Sequence, residues 1–342
     1  MLTLRKQSIL QAIVDEYVQT PAPVSSQSVV QRLPVAVSPA TVRNDIAELE
    51  EGGYVLRPHS SAGGIPSDKG YRAYVEFLQE IPEPSPEVKR FIRLKLHHAH
   101  MDLEAWNQTA SQLLAGLVHT MAICTLPRAP EARWKRLELV QVQEFLALLV
   151  MVLRESRVRQ QLVPLKEPVT QDQLTYISNK LNAVFSSLNR SEIQSRSVEL
   201  TPVEKEVTGV ALELLKEQQE EAVPEYYIDG LRLLFRQPEL APGSRARELT
   251  EVLEDRQTMR SLLGEAPEGG GVRIGIGKEN RSENLHSFSI IFCQYGLPTE
   301  ATGVVGIMGP TRMQYASAIS SVRYLSSVMS EMVEMVQGKS AN

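Results

Sequence analysis

Cysteine is scarce in this chain, and its scarcity excludes several classes of protein. Only Cys124 and Cys293 occur among 342 residues, and no Cys-x-x-Cys pair is present. Two isolated cysteines cannot form the disulfide framework of a small secreted domain, so we expect a reducing, cytoplasmic location. Cys124 stands among apolar neighbours, and we interpret it as a small core residue rather than a nucleophile.

Long apolar runs are also missing. The longest, residues 145–153, is too short to cross a bilayer as a helix, and its composition predicts a buried strand. The first residues mix Arg5 and Lys6 with apolar side chains and lack the core of a signal peptide. We therefore expect no membrane segment.

Patterns for catalysis or for metal and nucleotide binding are incomplete. The segment 271–278 vaguely resembles a phosphate-binding loop, but Val272 stands where the motif needs glycine, and Glu279 replaces the Ser/Thr that would bind magnesium. His97 and His100 would share a helix face, yet no carboxylate or cysteine stands at a matching offset, which favours a solvated or interface histidine patch. We expect no enzyme, no cofactor and no metal.

The most informative segment that is present covers residues 38–56. Ser38 and Pro39 are typical of a helix start, and Gly52 with Gly53 is typical of its end before a short strand. The helix has one apolar face and one polar face. The apolar face carries Val42, Ile46 and Leu49, and the polar face carries Ala40, Thr41, Arg43 and Asn44. Such a short capped helix before a hairpin resembles the recognition helix of a winged helix-turn-helix domain.

The flanking residues fit this interpretation. An amphipathic pattern from Leu4 to Tyr17 predicts a first helix, and Ser25 is placed to cap a second one that ends near Leu33. A polar loop, residues 57–64, followed by apolar Ile65, predicts the wing.

A helix of this kind would place its N-terminal end in the major groove of DNA. Arg43 would reach guanine O6 and N7, and Asn44 would pair with adenine N6 and N7, whereas hydroxyl groups near the helix start would contact phosphates. Lys69 and Arg72 would stand close behind the wing tip. The predicted DNA-contacting set is Ser25, Ser26, Ser38, Thr41, Arg43, Asn44, His59, Ser60, Lys69 and Arg72.

Charge supports a different interpretation, in which the same module binds protein. Residues 1–80 contain seven Lys/Arg and nine Asp/Glu, a net charge of −2, and a DNA-binding domain usually shows a clearer basic surface. We favour DNA because the local placement of the charges matters more than their sum.

The rest of the chain alternates between strand and helix patterns. Prolines at 82, 84 and 86 predict a stiff linker, and a long helical pattern covers residues 88–121. Strand patterns occupy residues 134–166 and 272–308, with helical patterns between them and a final helix at 313–336. Strands on both sides of a helical middle suggest one sheet domain interrupted by an insertion, an α+β fold.

Several motifs are similar to those of the heat-inducible transcription repressor HrcA family. At one end they occupy residues 23–26, 37–45, 58–63 and 65–72, and at the other end residues 277–280 and 303–315. The chain departs from the family pattern at Ser25, where the family has glycine, and at Gly64, where the wing usually has arginine.

The resemblance implies a domain layout and a function. The winged helix would comprise residues 1–81, followed by a linker at 82–87. A GAF-like domain with a long leading helix would comprise residues 88–195 and 270–342. The inserted dimerisation region, mainly helical, would comprise residues 196–269. A homodimer would bind an inverted-repeat operator ahead of chaperone genes, and heat would titrate away a GroEL-type chaperonin that keeps the repressor active. The alternative is a ligand-gated regulator whose central domain senses a small molecule.

Overall fold

The computed structural model describes residues 2–34, 37–59, 62–78, 81–97, 102–128, 132–153, 158–220, 225–240, 243–298 and 301–336. The chain forms two compact units. The first contains residues 1–126, 225–295 and 303–342, and the second contains residues 127–224 and 296–302. Helices and strands are both abundant, so the predicted mixed α+β class is confirmed.

The first unit begins with the predicted winged helix. Its elements are α1 (Leu4–Gln19), α2 (Ser26–Arg32), α3 (Pro39–Glu51), β1 (Val55–Leu56), β2 (Ile65–Pro66) and α4 (Asp68–Phe77). The strands pair antiparallel, with Val55 opposite Pro66. The side chains of Thr3, Ser25, Ser38 and Ser67 each accept a hydrogen bond from a backbone N–H in the first turn of the helix that follows. These caps explain why each helix begins where it does.

The chain continues through α5 (Pro86–His97) and α6 (Leu103–Val118) into β3 (Met121–Thr125). The single helical pattern predicted for residues 88–121 is therefore two helices and the start of a strand. All five residues of β3 are buried, and a run of this length carries no periodicity that separates a strand from the end of a helix.

The second unit contains a three-stranded sheet and three helices. In chain order these are β4 (Trp134–Gln143), β5 (Leu146–Leu153), β6 (Val158–Pro164), α7 (Gln171–Phe185), α8 (Arg190–Ser195) and α9 (Pro202–Glu220). One face of the sheet and the helices enclose a core around Trp134, whose indole N–H donates to Asn182 Oδ1 at 2.9 Å and whose ring contacts Phe185.

The last part of the chain completes the first unit. Its elements are β7 (Tyr226–Asp229), α10 (Leu231–Phe235), α11 (Gly243–Glu254), α12 (Arg256–Leu263), β8 (Val272–Ile276), β9 (Phe288–Leu297), β10 (Ala301–Pro310) and α13 (Tyr315–Val336). The five-stranded sheet has the order β7-β3-β10-β9-β8. Apolar residues of α13, among them Ile319, Val322 and Met329, are buried in the same core as residues of α6.

These units correct the expected domain boundaries. The strands predicted within residues 134–166 do not join the sheet that contains β8, β9 and β10, and they form a sheet of their own. The second unit comprises residues 127–224 and 296–302, whereas the inserted region was expected at 196–269, and residues 225–269 lie in the first unit. Which of these residues form a dimerisation region stays a prediction. The GAF-like character of the five-stranded sheet stays a prediction. None of the helices in the described parts of the chain combines the length and apolar character that a membrane crossing needs.

Candidate nucleic-acid interface

Helix α3 presents one polar side to solvent. Val42, Ile46 and Leu49 are buried in the core of the winged helix. On the other side Arg43 and Asn44 are exposed and Thr41 is partly exposed. This division follows directly from the 3.6-residue period, and it leaves a polar surface at the N-terminal half of the helix.

The start of α3 is capped by local hydrogen bonds. Ser38 Oγ accepts from the Thr41 backbone N–H at 3.1 Å and lies 2.9 Å from Thr41 Oγ1. Pro39 occupies the first helical position. Helix α2 starts in the same way, because Ser25 Oγ accepts from the Ser28 N–H at 3.1 Å. Free N–H groups and the helix dipole make such N-termini favourable places for phosphate oxygens.

Acidic side chains farther along α3 are neutralised within the domain. Arg5 binds Asp45 with two hydrogen bonds, Nε to Oδ2 at 2.7 Å and Nη2 to Oδ1 at 2.9 Å. Lys6 pairs with Glu48. Together with the Arg57–Glu50 pair, these contacts offset three of the four carboxylates of α3 and leave Glu51 at its C-terminal end, so the net charge of −2 does not describe the N-terminal half of the helix.

Arg43 stands apart from the other cations of the winged helix. Arg5, Lys6, Arg32, Arg57 and Arg72 each pair with a carboxylate. Within the described parts of the chain, Arg43 has neither an ion pair nor a hydrogen bond, and the same holds for the side chain of Asn44. Two side chains capable of bidentate base recognition are thus left exposed next to one another.

The wing lies between β1 and β2. His59 is exposed, and its carbonyl accepts from the Ala62 N–H at 2.9 Å. Ser60 falls outside the described residues. Gly64 is buried and exchanges two backbone hydrogen bonds of 2.9 Å with Val24. A Cβ at Gly64 would lie 2.6 Å from Val55 Cγ1, so an arginine at this position would require the Val55 side chain to move.

Comparison with known proteins identifies the family. The sequence profile described as "HrcA protein C terminal domain" matches residues 104–319, and that of a DeoR-like helix-turn-helix domain matches residues 5–68. A heat-inducible transcription repressor HrcA from Dehalococcoides mccartyi is 39% identical over 339 residues, covering 99% of this chain and 98% of the relative. The repressor of the same name from Chloroflexus aggregans is 34% identical, covering 97% of this chain and 93% of the relative. The chain belongs to the HrcA family.

A solved structure shares the fold over the full length. The crystal structure of a hypothetical protein at 2.2 Å resolution superposes with a TM-score of 0.64 and 25% identity, covering 98% of this chain and 100% of the other. The resemblance inferred from motifs at both ends of the sequence is confirmed, and the chain is a member of a family of transcription repressors with a helix-turn-helix domain.

Two residues of the predicted DNA-contacting set are placed elsewhere in this HrcA-family structure. Lys69 Nζ donates to the Gly52 carbonyl at 2.8 Å, at the C-terminal end of α3, and lies 4.4 Å from the centre of the Tyr54 ring. Arg72 binds Glu279 and the Ile274 carbonyl. Both residues belong to α4, which the sequence patterns did not predict, and both already bind other parts of the chain. A DNA contact by either residue stays a prediction.

The other sequence-level candidates acquire ordinary structural roles. Cys124 is buried, and burial raises the pKa of its thiol well above the ordinary value, which disfavours the nucleophilic thiolate. His97 is exposed at the end of α5, whereas His98 and His100 lie outside the described residues. In the described ranges, no group of three or more His, Cys, Asp and Glu side chains converges as a metal site would require.

The cap of α3 provides a test that separates stability from DNA binding. Replacing Ser38 by alanine should lower the free energy of unfolding by about 1 kcal/mol, because the Thr41 N–H loses its acceptor. Replacing Ser38 by aspartate should preserve stability, because aspartate is an equally good cap, but should weaken DNA binding by placing a negative charge beside the phosphates. Urea unfolding and DNA titration of both variants measure the two effects. Undiminished DNA affinity in the aspartate variant would contradict an N-terminus that faces the backbone of DNA.

Proposed function

We propose that this HrcA-family chain represses chaperone genes by binding an inverted-repeat operator as a homodimer, with α3 of each subunit in the major groove. The observation that carries the proposal is the exposed pair Arg43 and Asn44, which has no partner among the described residues and lies at the N-terminal half of a capped helix. Helix-turn-helix domains read base edges with this part of the recognition helix.

The two side chains would have different targets. The Arg43 guanidinium matches the O6 and N7 acceptors of guanine, and the Asn44 amide matches the N6 donor and N7 acceptor of adenine. Thr41 lies beside them, and the caps Ser25 and Ser38 place two helix N-termini where phosphate oxygens would be favoured. Ser26 and His59 remain proposed contacts to the DNA backbone.

The proposed homodimer is supported by the outward face of the three-stranded sheet. The continuous apolar run in β5 predicted a buried strand, but burial alternates along it. Leu149 and Met151 point into the core, whereas Leu148 and Val150 remain partly exposed. One face of this strand is therefore covered by the chain itself, and the other is equally apolar and partly open.

Neighbouring strands extend the apolar face. Leu148 pairs with Val140 on β4 and with Leu162 on β6, and these two partners are 47% and 52% exposed. Val158, which is 60% exposed, lies opposite Val152. A contiguous apolar surface of this kind on a soluble domain is typical of a protein interface, and a second copy of the same face is self-complementary in a two-fold dimer.

The heat response is proposed from family membership. Operator binding over a promoter would exclude polymerase, and a GroEL-type chaperonin would maintain the active fraction until unfolded proteins compete for it. A marginally stable repressor needs only a small free-energy change for this, since 1.4 kcal/mol already alters an equilibrium about tenfold. The cytoplasm is the compartment in which such a repressor would meet DNA and chaperonin.

Fluorescence titration of the full chain tests the proposal. The probes are an inverted repeat from the organism's chaperone promoters, a single half-site and a shuffled repeat, each with and without chaperonin. We expect the intact repeat to bind roughly 10²–10⁴-fold more tightly than the half-site because the two contacts are linked. Footprinting should show two protected half-sites about one helical turn, or a multiple of it, apart. Equal affinity for the shuffled repeat would contradict the proposal.

A second candidate function, ligand gating, is favoured by an open crevice of about 670 Å³ in the first unit. Asp15, Arg32 and Tyr74 line one part of it, and Ser317 and Ser320 line another. Burial raises the pKa of Asp15, and the Tyr74 hydroxyl donates to its carboxylate at 2.9 Å. The volume suits a small molecule, and thermal stabilisation by members of a metabolite library would support this function.

A further inference from the structure

Helix α4 attaches the winged helix to a turn near the other end of the chain. The turn, Gly277–Glu279, follows β8. Its Lys278 N–H donates to Asp68 Oδ2 at 3.2 Å. Gly277 has a φ of +53°, and a Cβ added there would lie 2.1 Å from the same carboxylate oxygen. A side chain at this position would therefore be strained and would also displace Asp68.

Arg72 provides the second contact with this turn. Its Nε donates to Glu279 Oε1 at 2.7 Å, and its Nη2 donates to the Ile274 carbonyl at 2.7 Å. Glu279 Oε2 also accepts from the Ile276 N–H at 3.0 Å. The Glu279 carboxylate is thus oriented by a backbone N–H of its own turn as well as by the Arg72 guanidinium. Hydrogen bonds between a guanidinium and a carboxylate require a defined relative orientation of the two groups.

An aromatic contact lies between these polar ones and the core. The rings of Tyr71 and Tyr315 have centroids 5.7 Å apart, and both side chains are buried. The Tyr315 hydroxyl donates to the Thr311 carbonyl at 2.7 Å. Because its hydrogen is used there, the Tyr315 hydroxyl oxygen accepts from the Ser289 hydroxyl, also at 2.7 Å. Asp68, Tyr71 and Arg72 are spaced three and four residues apart, so they share one side of α4.

A separate contact holds α1. Arg312 Nη1 donates to the Val18 carbonyl at 2.7 Å, near the C-terminal end of that helix, where a cation is favoured by the helix dipole. Its Nη2 also donates to Glu239 Oε2 at 3.2 Å. The winged helix is therefore attached at two helices, and two separated attachments restrict rotation, whereas a single linker would not.

We infer that Asp68, Arg72 and Glu279 are positioning residues that select the spacing of the operator half-sites without touching DNA. The inference rests on the proposed homodimer and inverted repeat. Each base pair inserted between half-sites moves them about 3.4 Å apart and rotates one about the other, since a turn of 34–36 Å contains 10–10.5 base pairs. A winged helix that these contacts hold against the rest of the first unit cannot follow that change. A winged helix connected only through residues 82–87 can reorient. We call Asp68, Tyr71, Arg72, the turn Gly277–Glu279 and Tyr315 the α4 dock.

The test measures the affinity of the full chain for inverted repeats whose spacers differ by one and two base pairs, with an isolated half-site as reference. Wild-type protein should bind one spacing at least about tenfold more tightly than its neighbours. Glu279→Arg should reduce this preference to about threefold or less while half-site affinity stays within about twofold. Gly277→Ala should relax the preference without changing charge. The double variant R72E/E279R should restore it in part, and Glu283→Arg, an exposed position on the same loop, should behave like wild type.

The outcomes separate the inference from the proposed function. Wild-type protein that shows no advantage of the repeat over the half-site would refute the proposed dimeric function, and the inference with it. A wild-type spacing preference that persists unchanged in Glu279→Arg and Gly277→Ala would overturn the inference alone. Loss of half-site affinity in Glu279→Arg that the double variant does not restore would also overturn it, because the contact would then be needed for folding rather than for position.

Discussion

Replacing Leu162 by glutamate should convert the proposed dimer into monomers and lower affinity for the intact inverted repeat by roughly 10²–10⁴-fold. The loss is large because the second half-site would no longer be held near the first. Leu162 lies in the outward row of the three-stranded sheet, opposite Leu148, and is half exposed in the single chain. Two-fold symmetry would bring two such charges to the same apolar interface, where burying an unpaired carboxylate is unfavourable.

Sedimentation and fluorescence titration measure the two consequences of the Leu162 change. The matched control is Tyr176→Glu, because Tyr176 is also an exposed large side chain of the same unit, 69% against 52% for Leu162, but lies on α7, which covers the other face of the sheet. The control should remain dimeric and bind the repeat normally, and both variants should bind a half-site equally. A Leu162→Glu protein that sediments as a dimer would show that the subunits meet elsewhere.

The first three helices and the wing hairpin of the winged helix were predictable because their signals are short range, whereas α4 was not predicted. Ser25 and Ser38 mark helix starts through hydrogen bonds to N–H groups three residues away, and Gly52 marks a helix end. The buried face of α3 follows from the helical period. The exposed pair Arg43 and Asn44 follows from the same period, which is why this part of the candidate interface required no structure.

Sheet membership was not predictable in the same way. Residues 134–153 and 288–310 both read as strands, but a strand pattern does not contain its partner, and the structure puts them into different sheets. The strand β7 has four partly exposed residues and pairs with β3, about a hundred positions earlier. Pairing at such distances depends on the packing of whole layers rather than on the local sequence.

The roles of Lys69 and Arg72 show the same limit on the functional side. From the sequence alone, a lysine or arginine that follows the wing is a reasonable candidate for a phosphate contact. The structure adds that the α4 residue Arg72 binds Glu279. Glu279 stands more than two hundred positions away, and its complementary charge only became meaningful once the fold brought it to Arg72. The sequence did show that motifs similar to those of the HrcA family occur at both ends of the chain. That these two motifs meet in the α4 dock became visible only in the folded structure.

Replacing Arg43 by alanine should weaken binding to the cognate repeat by about 1–3 kcal/mol per half-site and relax base preference at one position in each. The loss is specific because a bidentate guanidinium contact discriminates guanine from the other bases, whereas a phosphate contact does not. Titration against repeats substituted at each position would locate the affected base pair. Arg43→Lys should recover part of the affinity but less of the discrimination, since lysine lacks the planar pair of donors.

Lys69→Ala is the matched control for Arg43→Ala, because Lys69 is also an exposed cation of the winged helix but is bound to the far end of α3. A phosphate contact at Lys69 would make all DNA bind more weakly and reduce the salt dependence by about one charge. The structure instead predicts an unchanged salt dependence and unchanged base preference for this variant. Equal and sequence-independent losses in both variants would mean that Arg43 only contacts the backbone, and that bases are read from elsewhere in the domain.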